Sequence, residues 1–133
     1  MKSKSLSWYK GKINVIRAQY TKKRDQDWKG YARCISCSVY RPVGELQSGH
    51  FYSRIHDFTT ALAKCEENLN LQCVPCNYYK RGNPQGYASG LVRKYGVDIL
   101  GLLEKAKKKD TYWGIKALKA LLEEYKEKLS NIS

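Results

Sequence analysis

Two cysteine pairs, Cys34-Ile-Ser-Cys37 and Cys73-Val-Pro-Cys76, are the residues whose type and spacing most directly define a chemistry. Each CxxC turn can present two thiolates to one ion, and four thiolates satisfy the tetrahedral preference of Zn²⁺ with no open position. A zinc held this way is structural. It replaces a core that so short a segment cannot build, and its removal should unfold the centre of the chain. Two redox-active pairs are the competing reading of the same spacing. Cys65 is left over and reads as a small buried apolar residue.

The chain has two histidines, His50 and His56, and both lie between the knuckles. Asn77 directly follows the last cysteine, and Asn68 lies five residues before Cys73. If the second knuckle opens a helix, Asn77 falls on its first turn and a strand carrying His50 can lie against it. A proton acceptor would then face an amide able to ligate a hard cation. Phosphodiester hydrolysis needs such a pair: a base to deprotonate water and a divalent ion to stabilise the charge that develops on phosphorus and the leaving 3′ oxygen. Imidazole, with a reference pKa of about 6.5, can accept a proton at neutral pH. Asn77 offers one oxygen to Mg²⁺ or Mn²⁺, and magnesium keeps most of its waters, so one amide plus substrate oxygens is chemically sufficient. Two metals with separate work are expected: zinc for the scaffold, a labile hard cation for catalysis.

The elements that must position these residues can be read from periodicity. Leu6, Tyr9, Ile13, Ile16 and Tyr20 recur at helical steps and predict an N-terminal helix. Tyr31 to Phe51 breaks into short segments around Arg41-Pro42-Val43-Gly44, which predicts a β-hairpin or a pair of short strands. Residues 57–67 are expected to hold a short helix, and Leu69 and Leu71 alternate with Asn68, Asn70 and Gln72 as in a strand leading to Cys73. Pro84 suits a first helical position, with Ala88, Leu91, Val92 and Tyr95 on one face and Gly96 as the stop. A further helix carries Ile99, Leu102, Leu103 and Ala106. A last one, capped by Asp110 or Thr111, carries Ile115, Leu118, Leu122, Tyr125 and Leu129 as a seam for an intramolecular helix pair or a short subunit contact.

The chain's 133 residues leave room for one compact unit. Its net charge of +13 is unevenly spread: residues 1–33 and 77–110 are strongly basic and residues 34–76 nearly neutral. Such a balance calls for an anionic partner, and nucleic acid is the first candidate. No stretch is apolar and long enough to span a bilayer, and Met1 to Lys10 lacks the apolar centre of a secretory signal, so a soluble, intracellular protein without membrane partners is expected. Branched nucleic acid is read by shape and backbone charge more than by base edges. Lys80 and Arg81, just after Asn77, are the candidates for gripping the scissile phosphate, with Lys22, Lys23, Arg24, Arg93 and Lys94 on the arms. Tyr78 and Tyr79 either stack on unpaired bases or pack against the zinc lobe.

CxxC, a Gly-His, then Asn-x-x-x-x-CxxC-Asn resembles a zinc-containing HNH (ββα-metal) nuclease. More narrowly, Cys34-Ile-Ser-Cys37, Ser48-Gly-His-Phe51, Asn68 with Gln72-Cys73, and Cys76-Asn77 followed by Lys80-x-Gly82-Asn83 are similar to the phage NinG/Rap recombination endonucleases. The likeness continues through Tyr87, Leu91-Val92-Arg93, Tyr95-Gly96 and the Trp113 helix ending in Tyr125-Lys126-x-Lys128-Leu129, so it spans roughly residues 25–129. In outline the chain also resembles the phage resolvase endonuclease VII. The resemblance implies His50 as general base, Asn68 as the brace of the loop that orients it, Asn77 as the catalytic metal ligand, and Cys34, Cys37, Cys73 and Cys76 as a treble-clef zinc site.

It also implies an α+β fold: a small zinc-stabilised HNH core at 31–83, a basic helical arm at 1–30 and a helical C-terminal region at 84–133. The implied activity is cleavage of Holliday junctions, D-loops and forks by a homodimer, in the cytoplasm of a phage-infected bacterial host and alongside phage or host recombination proteins. Two departures stand out. Gly49 occupies the position before the histidine, where many HNH enzymes carry an Asp that helps bind the cation; either Asn77 acts with little help, or Asp57 or Asn83 joins it. Ala63 stands where an arginine contact to phosphate is expected. The alternatives are an HNH nuclease of ordinary duplex DNA and a non-catalytic zinc-ribbon protein that binds nucleic acid.

Overall fold

In the computed structural model, which describes residues 3–132, the N-terminal stripe forms a helix, α1 (Leu6–Asp25), whose first turn is capped by Ser5 accepting from the Trp8 N–H at 3.1 Å. Tyr9, Ile13 and Tyr20 are buried as the periodicity predicts, and Arg17 and Thr21 are buried with them. The face packs on the last helix, α4 (Ile115–Ser130), through Leu118, Leu121, Leu122 and Tyr125, with Ala63 and Trp113 completing the cluster. The two apolar seams of the sequence are therefore consumed by each other within one chain. Neither is left for the subunit contact that the seam spacing also allowed.

Two antiparallel ribbons lie between these helices in the sequence. β1 (Tyr31–Arg33) pairs with β2 (Tyr40–Pro42), and the first knuckle occupies the turn that joins them. β3 (Leu46–His50) pairs with β4 (Leu69–Cys73), with Leu46 opposite Cys73 and His50 opposite Leu69. The strand carrying His50 thus finds its partner in the strand that delivers the second knuckle, not in Tyr31–Arg33. Leu46, Leu71 and Cys73 share one apolar cluster with Ala32, Cys34 and Cys76, so the pairing closes the core around the thiols. β4 is buried on both faces. Its alternation of Leu and amide residues reads as a half-exposed strand, but Asn70 and Gln72 point into polar networks made by other elements.

The short helix expected at 57–67 is replaced by three successive 3₁₀ turns, Arg54–Thr59, Ala61–Lys64 and Glu66–Asn68. Its carbonyls are taken by distant partners: Thr60 O by Trp113 Nε1 at 2.9 Å, Ala63 O by the Tyr125 hydroxyl at 3.2 Å and Cys65 O by Arg17 at 3.4 Å. α2 (Pro84–Tyr95) starts behind Asn83 and stops at Gly96, whose φ of +102° only glycine adopts easily. α3 (Ile99–Lys108) packs on it through Ile99 and Leu103, with Leu62, Tyr87 and Leu91. Asp110 and Thr111 do not cap α4. Asp110 stands opposite Thr60 in an isolated β-bridge, held by the Ala61 N–H donating to the Lys109 carbonyl at 3.0 Å and the Thr111 N–H donating to the Thr59 carbonyl at 3.1 Å, and the helix begins only after Gly114. Among the described residues no helix is long and apolar enough to cross a membrane.

Candidate active site

The ribbon pairing brings the two knuckles together. The sulfurs of Cys34, Cys37, Cys73 and Cys76 all lie within 4.8 Å of one another. Cys37 and Cys73 Sγ are 3.7 Å apart, close to the ~3.8 Å edge of a tetrahedron with Zn–S bonds of about 2.3 Å. The donor set fits Zn²⁺. Burial pushes the Cys73 thiol up to about 12 and raises Cys76 as well. Burial also acts upward on Cys34, but backbone N–H groups of Cys73, Cys37 and Ser36 outweigh it and bring that thiol below its usual value. Gathering four thiolates here is thus unfavourable without a cation, and the ion must displace protons as it binds. Cys65 lies outside the cluster; its Sγ faces the Ala61 carbonyl at 3.7 Å, and burial raises its thiol.

At the end of β3, His50 places Nε2 3.0 Å from Asp57 Oδ2. That same oxygen accepts from Arg17 Nη1 at 3.0 Å, and both members of the ion pair are only 1% exposed. A carboxylate already neutralised by a guanidinium acts as the acceptor toward the ring. Nε2 therefore carries the proton in the neutral imidazole, and Nδ1 presents the lone pair. Asp57 Oδ2 is shared between the histidine and α1, and the buried Oδ1 of the same carboxylate has no hydrogen-bond partner. Asn83, the other residue considered for cation ligation, is committed: its Nδ2 donates to Cys76 Sγ at 3.4 Å and its Oδ1 accepts from the Gly86 N–H at 3.4 Å.

Asn68 is fully buried and spans both backbone groups of Tyr52, accepting from its N–H at 2.9 Å and donating to its carbonyl at 3.0 Å. The chain leaving His50 is fixed by those two bonds. Asn77 sits on a five-residue helical turn, Pro75–Tyr79, directly after the second knuckle. Its Nδ2 donates to Gln47 Oε1 at 2.8 Å, and its Oδ1 lies 2.9 Å from where a Cβ on Gly49 would be. The amide oxygen thus lies against the residue bonded to His50. Sequence reasoning did not assign Tyr87 a role, yet its buried hydroxyl donates to the Gly49 carbonyl at 2.6 Å and accepts from Asn70 Nδ2 at 3.3 Å. Burial raises its phenol well above the usual range. The helical face read from the sequence, Ala88, Leu91, Val92 and Tyr95, leaves Tyr87 out, and nothing in the sequence disclosed the hydrogen bond.

The basic residues divide into two sets. Arg24 and Lys94, expected on the nucleic-acid surface, are structural ties. Arg24 holds Asp25 at 2.7 and 2.8 Å and donates to the carbonyls of Glu66 and Leu69 and to Asn70 Oδ1, and Lys94 reaches Asp25 at 2.8 Å and Asn70 at 2.7 Å. Burial raises the Asp25 carboxyl, but Arg24 and Lys94 together hold it below the usual carboxylate range. Lys80, Arg81, Lys23 and Arg93 are exposed and Lys22 is half-buried; among the described residues none of the five has a carboxylate partner. Arg93 makes one neutral contact, to Ser38 Oγ at 3.3 Å. Tyr78 and Tyr79, on the same turn as Asn77, are 74% and 75% exposed and so do not pack on the zinc lobe.

Comparison with known proteins finds likeness along the whole chain. The family model described as "Bacteriophage Lambda NinG protein" matches residues 1–133. "Protein ninG" of Salmonella phage P22 and that of Escherichia phage lambda are each 29% identical over 125 residues, covering 94% of this chain and 57% of theirs. The Escherichia phage 933W protein of the same name is 26% identical over 125 residues, covering 94% of this chain and 58% of its own. The chain therefore spans little more than half the length of these relatives. No solved structure matches it. With its four-thiol centre, its mixed helix and strand architecture and a family match from end to end, this chain belongs to the phage NinG family.

Proposed function

We propose that the chain is a divalent-metal-dependent endonuclease that hydrolyses phosphodiester bonds in branched DNA such as Holliday junctions, D-loops and forks, in the cytoplasm of an infected cell. The observation that carries this reading is the juxtaposition at Gly49: the Asn77 amide oxygen lies against this glycine, and the next residue, His50, is held at Nε2 by a buried carboxylate. A zinc-ribbon protein that merely binds nucleic acid has no use for that arrangement. Asn77 would hold Mg²⁺ or Mn²⁺, which when bound supplies electrostatic stabilisation of the phosphate charge.

The rest of the chemistry belongs to the chain. His50 Nδ1 takes a proton from water, and the new P–O bond forms as the P–O3′ bond breaks, leaving a 5′ phosphate and a 3′ oxygen that is protonated from solvent. Asp57 keeps Nε2 protonated and so keeps Nδ1 basic. Asn68 and Tyr87 fix the backbone on either side of the histidine. Lys80 and Arg81 offer unpaired charge to the phosphates, and Tyr78 and Tyr79 offer exposed rings to unpaired bases. Two nicks in one junction require two such sites, so a pair of chains acts on each junction; their contact uses a surface other than the α1 and α4 seams.

The test is cleavage of labelled four-way junction, fork and linear duplex of matched sequence, with Mg²⁺, Mn²⁺ or EDTA, beside a His50→Ala variant of unchanged zinc content. Metal-dependent cutting that favours the branched substrates and disappears in the variant is expected. Equal cutting of linear duplex would point to a general HNH nuclease, and tight binding without cutting would overturn the catalytic reading.

A further inference from the structure

Gln72 is fully buried, and its Oε1 has no hydrogen-bond partner. An orphaned buried acceptor is unfavourable and calls for an explanation. The amide cannot relieve this by flipping: Nε2 donates to Ser36 Oγ at 2.8 Å and to the Gly82 carbonyl at 2.8 Å, and a backbone carbonyl only accepts. Oε1 must therefore be the atom aimed at Gly49, where it lies 1.9 Å from the position a Cβ would take. Asn77 Oδ1 converges on the same point at 2.9 Å, with its own nitrogen turned away to Gln47. Two amide oxygens from different elements thus fall within 2.9 Å of one point, beside the residue before the proposed base. One of them is unspent.

We infer that Gln72 supplies the second protein oxygen of the hard-cation site, together with Asn77. This rests on the nuclease reading and deepens it. The sequence left the partner of Asn77 open between Asp57 and Asn83: Asn83 is committed elsewhere, and Asp57 binds Arg17 and His50 through Oδ2 with its Oδ1 unpartnered, whereas Gln72 Oε1 is the unpartnered oxygen that converges with Asn77 Oδ1 at Gly49. Gln72 and a side chain at position 49 compete for one volume, which explains how a glycine can stand where a ligating Asp is otherwise expected. The ligand comes instead from the neighbouring strand β4, pinned by the knuckle and by the Gly82 loop. Neutral carbonyl oxygens suit Mg²⁺ or Mn²⁺ and not a soft ion.

The experiment measures Mn²⁺ binding to the zinc-loaded full chain by electron paramagnetic resonance, with no DNA present, for wild type, Asn77→Ala, Gln72→Leu and Gly49→Ala. Zinc content and melting temperature are recorded for each. Gln72→Leu deletes the oxygen. Gly49→Ala leaves Gln72 chemically intact but drives a methyl into its Oε1, and it decides the matter if Gln72→Leu fails to fold. Mn²⁺ affinity is expected to fall about tenfold or more in both variants. Loss of binding in Asn77→Ala alone, with both others at wild-type affinity and zinc content, would overturn the assignment of Gln72 and leave the nuclease reading standing. Unchanged binding in Asn77→Ala would overturn the cation site itself, and Gln72 with it.

Discussion

Replacing Asp57 by Leu tests the link between α1 and the proposed base. Leu preserves the branched shape of the side chain and removes the charge. In the wild type the Arg17 guanidinium is 1% exposed and relies on Asp57 Oδ2 at 3.0 Å; it also donates to the Cys65 carbonyl at 3.4 Å and lies 5.5 Å from the centre of the Tyr125 ring, and Nε has no partner. Asp57→Leu therefore strands a buried cation. Removing one partner of a buried pair costs about 3 to 5 kcal/mol, whereas replacing both with apolar groups of similar volume is often close to neutral. At roughly 3 to 4 °C per kcal/mol for a chain of this size, the single variant should melt about 10 to 20 °C lower. Arg17→Met combined with Asp57→Leu should recover most of that loss. The assay is thermal unfolding of zinc-loaded protein by circular dichroism, with zinc content measured in parallel. The reasoning fails if the single variant melts within about 3 °C of wild type, or if the double variant is no more stable than the single. Junction cleavage provides an independent readout. The double variant regains stability but leaves His50 Nε2 without its acceptor, so its turnover should stay about 10² to 10⁴-fold below wild type.

Zinc loading of the reduced apoprotein near pH 7 should release between about three and four protons per ion, since Cys73 and Cys76 are raised and only Cys34 is lowered; titration calorimetry in buffers of different ionisation enthalpy counts them. The sign follows: protons compete with the ion, so zinc-dependent stability falls as pH drops below neutrality, and affinity that is flat between pH 6 and 8 would contradict a four-thiolate site. Asn68→Ala removes both bonds to the Tyr52 backbone and should cost about 2 to 4 kcal/mol, measured by denaturant unfolding, with cleavage reduced more than junction binding. Lys80→Ala and Arg81→Ala should each lower the salt dependence of junction binding by roughly one ion, as read from the slope of log affinity against log salt concentration. Arg24→Ala should instead act on stability, because its guanidinium is spent on Asp25 and on three backbone and side-chain oxygens.

The local signals in this chain were legible without a fold. The four thiols placed to hold a metal follow from two CxxC spacings, because a metal chelate needs only residue type and short separation. The helices at both ends follow from apolar residues at helical steps, because burial of one face is a periodic constraint. Asn68, Asn77 and His50 stood out by their positions relative to the knuckles. What the tertiary structure decided is polar and long-range. Arg17 meets Asp57 across 40 residues, Gln72 meets Ser36 across 36, and Tyr87 meets Gly49 across 38. A buried hydrogen bond leaves no period in the sequence, since each partner is a single residue whose mate is fixed only when the ribbons and helices pack. For the same reason charge alone did not disclose that Arg24 and Lys94 tie Asp25 and Asn70 into one network. A lysine or arginine on a basic arm and one that closes a network are the same letter, and only the Asp25 carboxylate and Asn70 oxygen that the fold delivers to them distinguish the two.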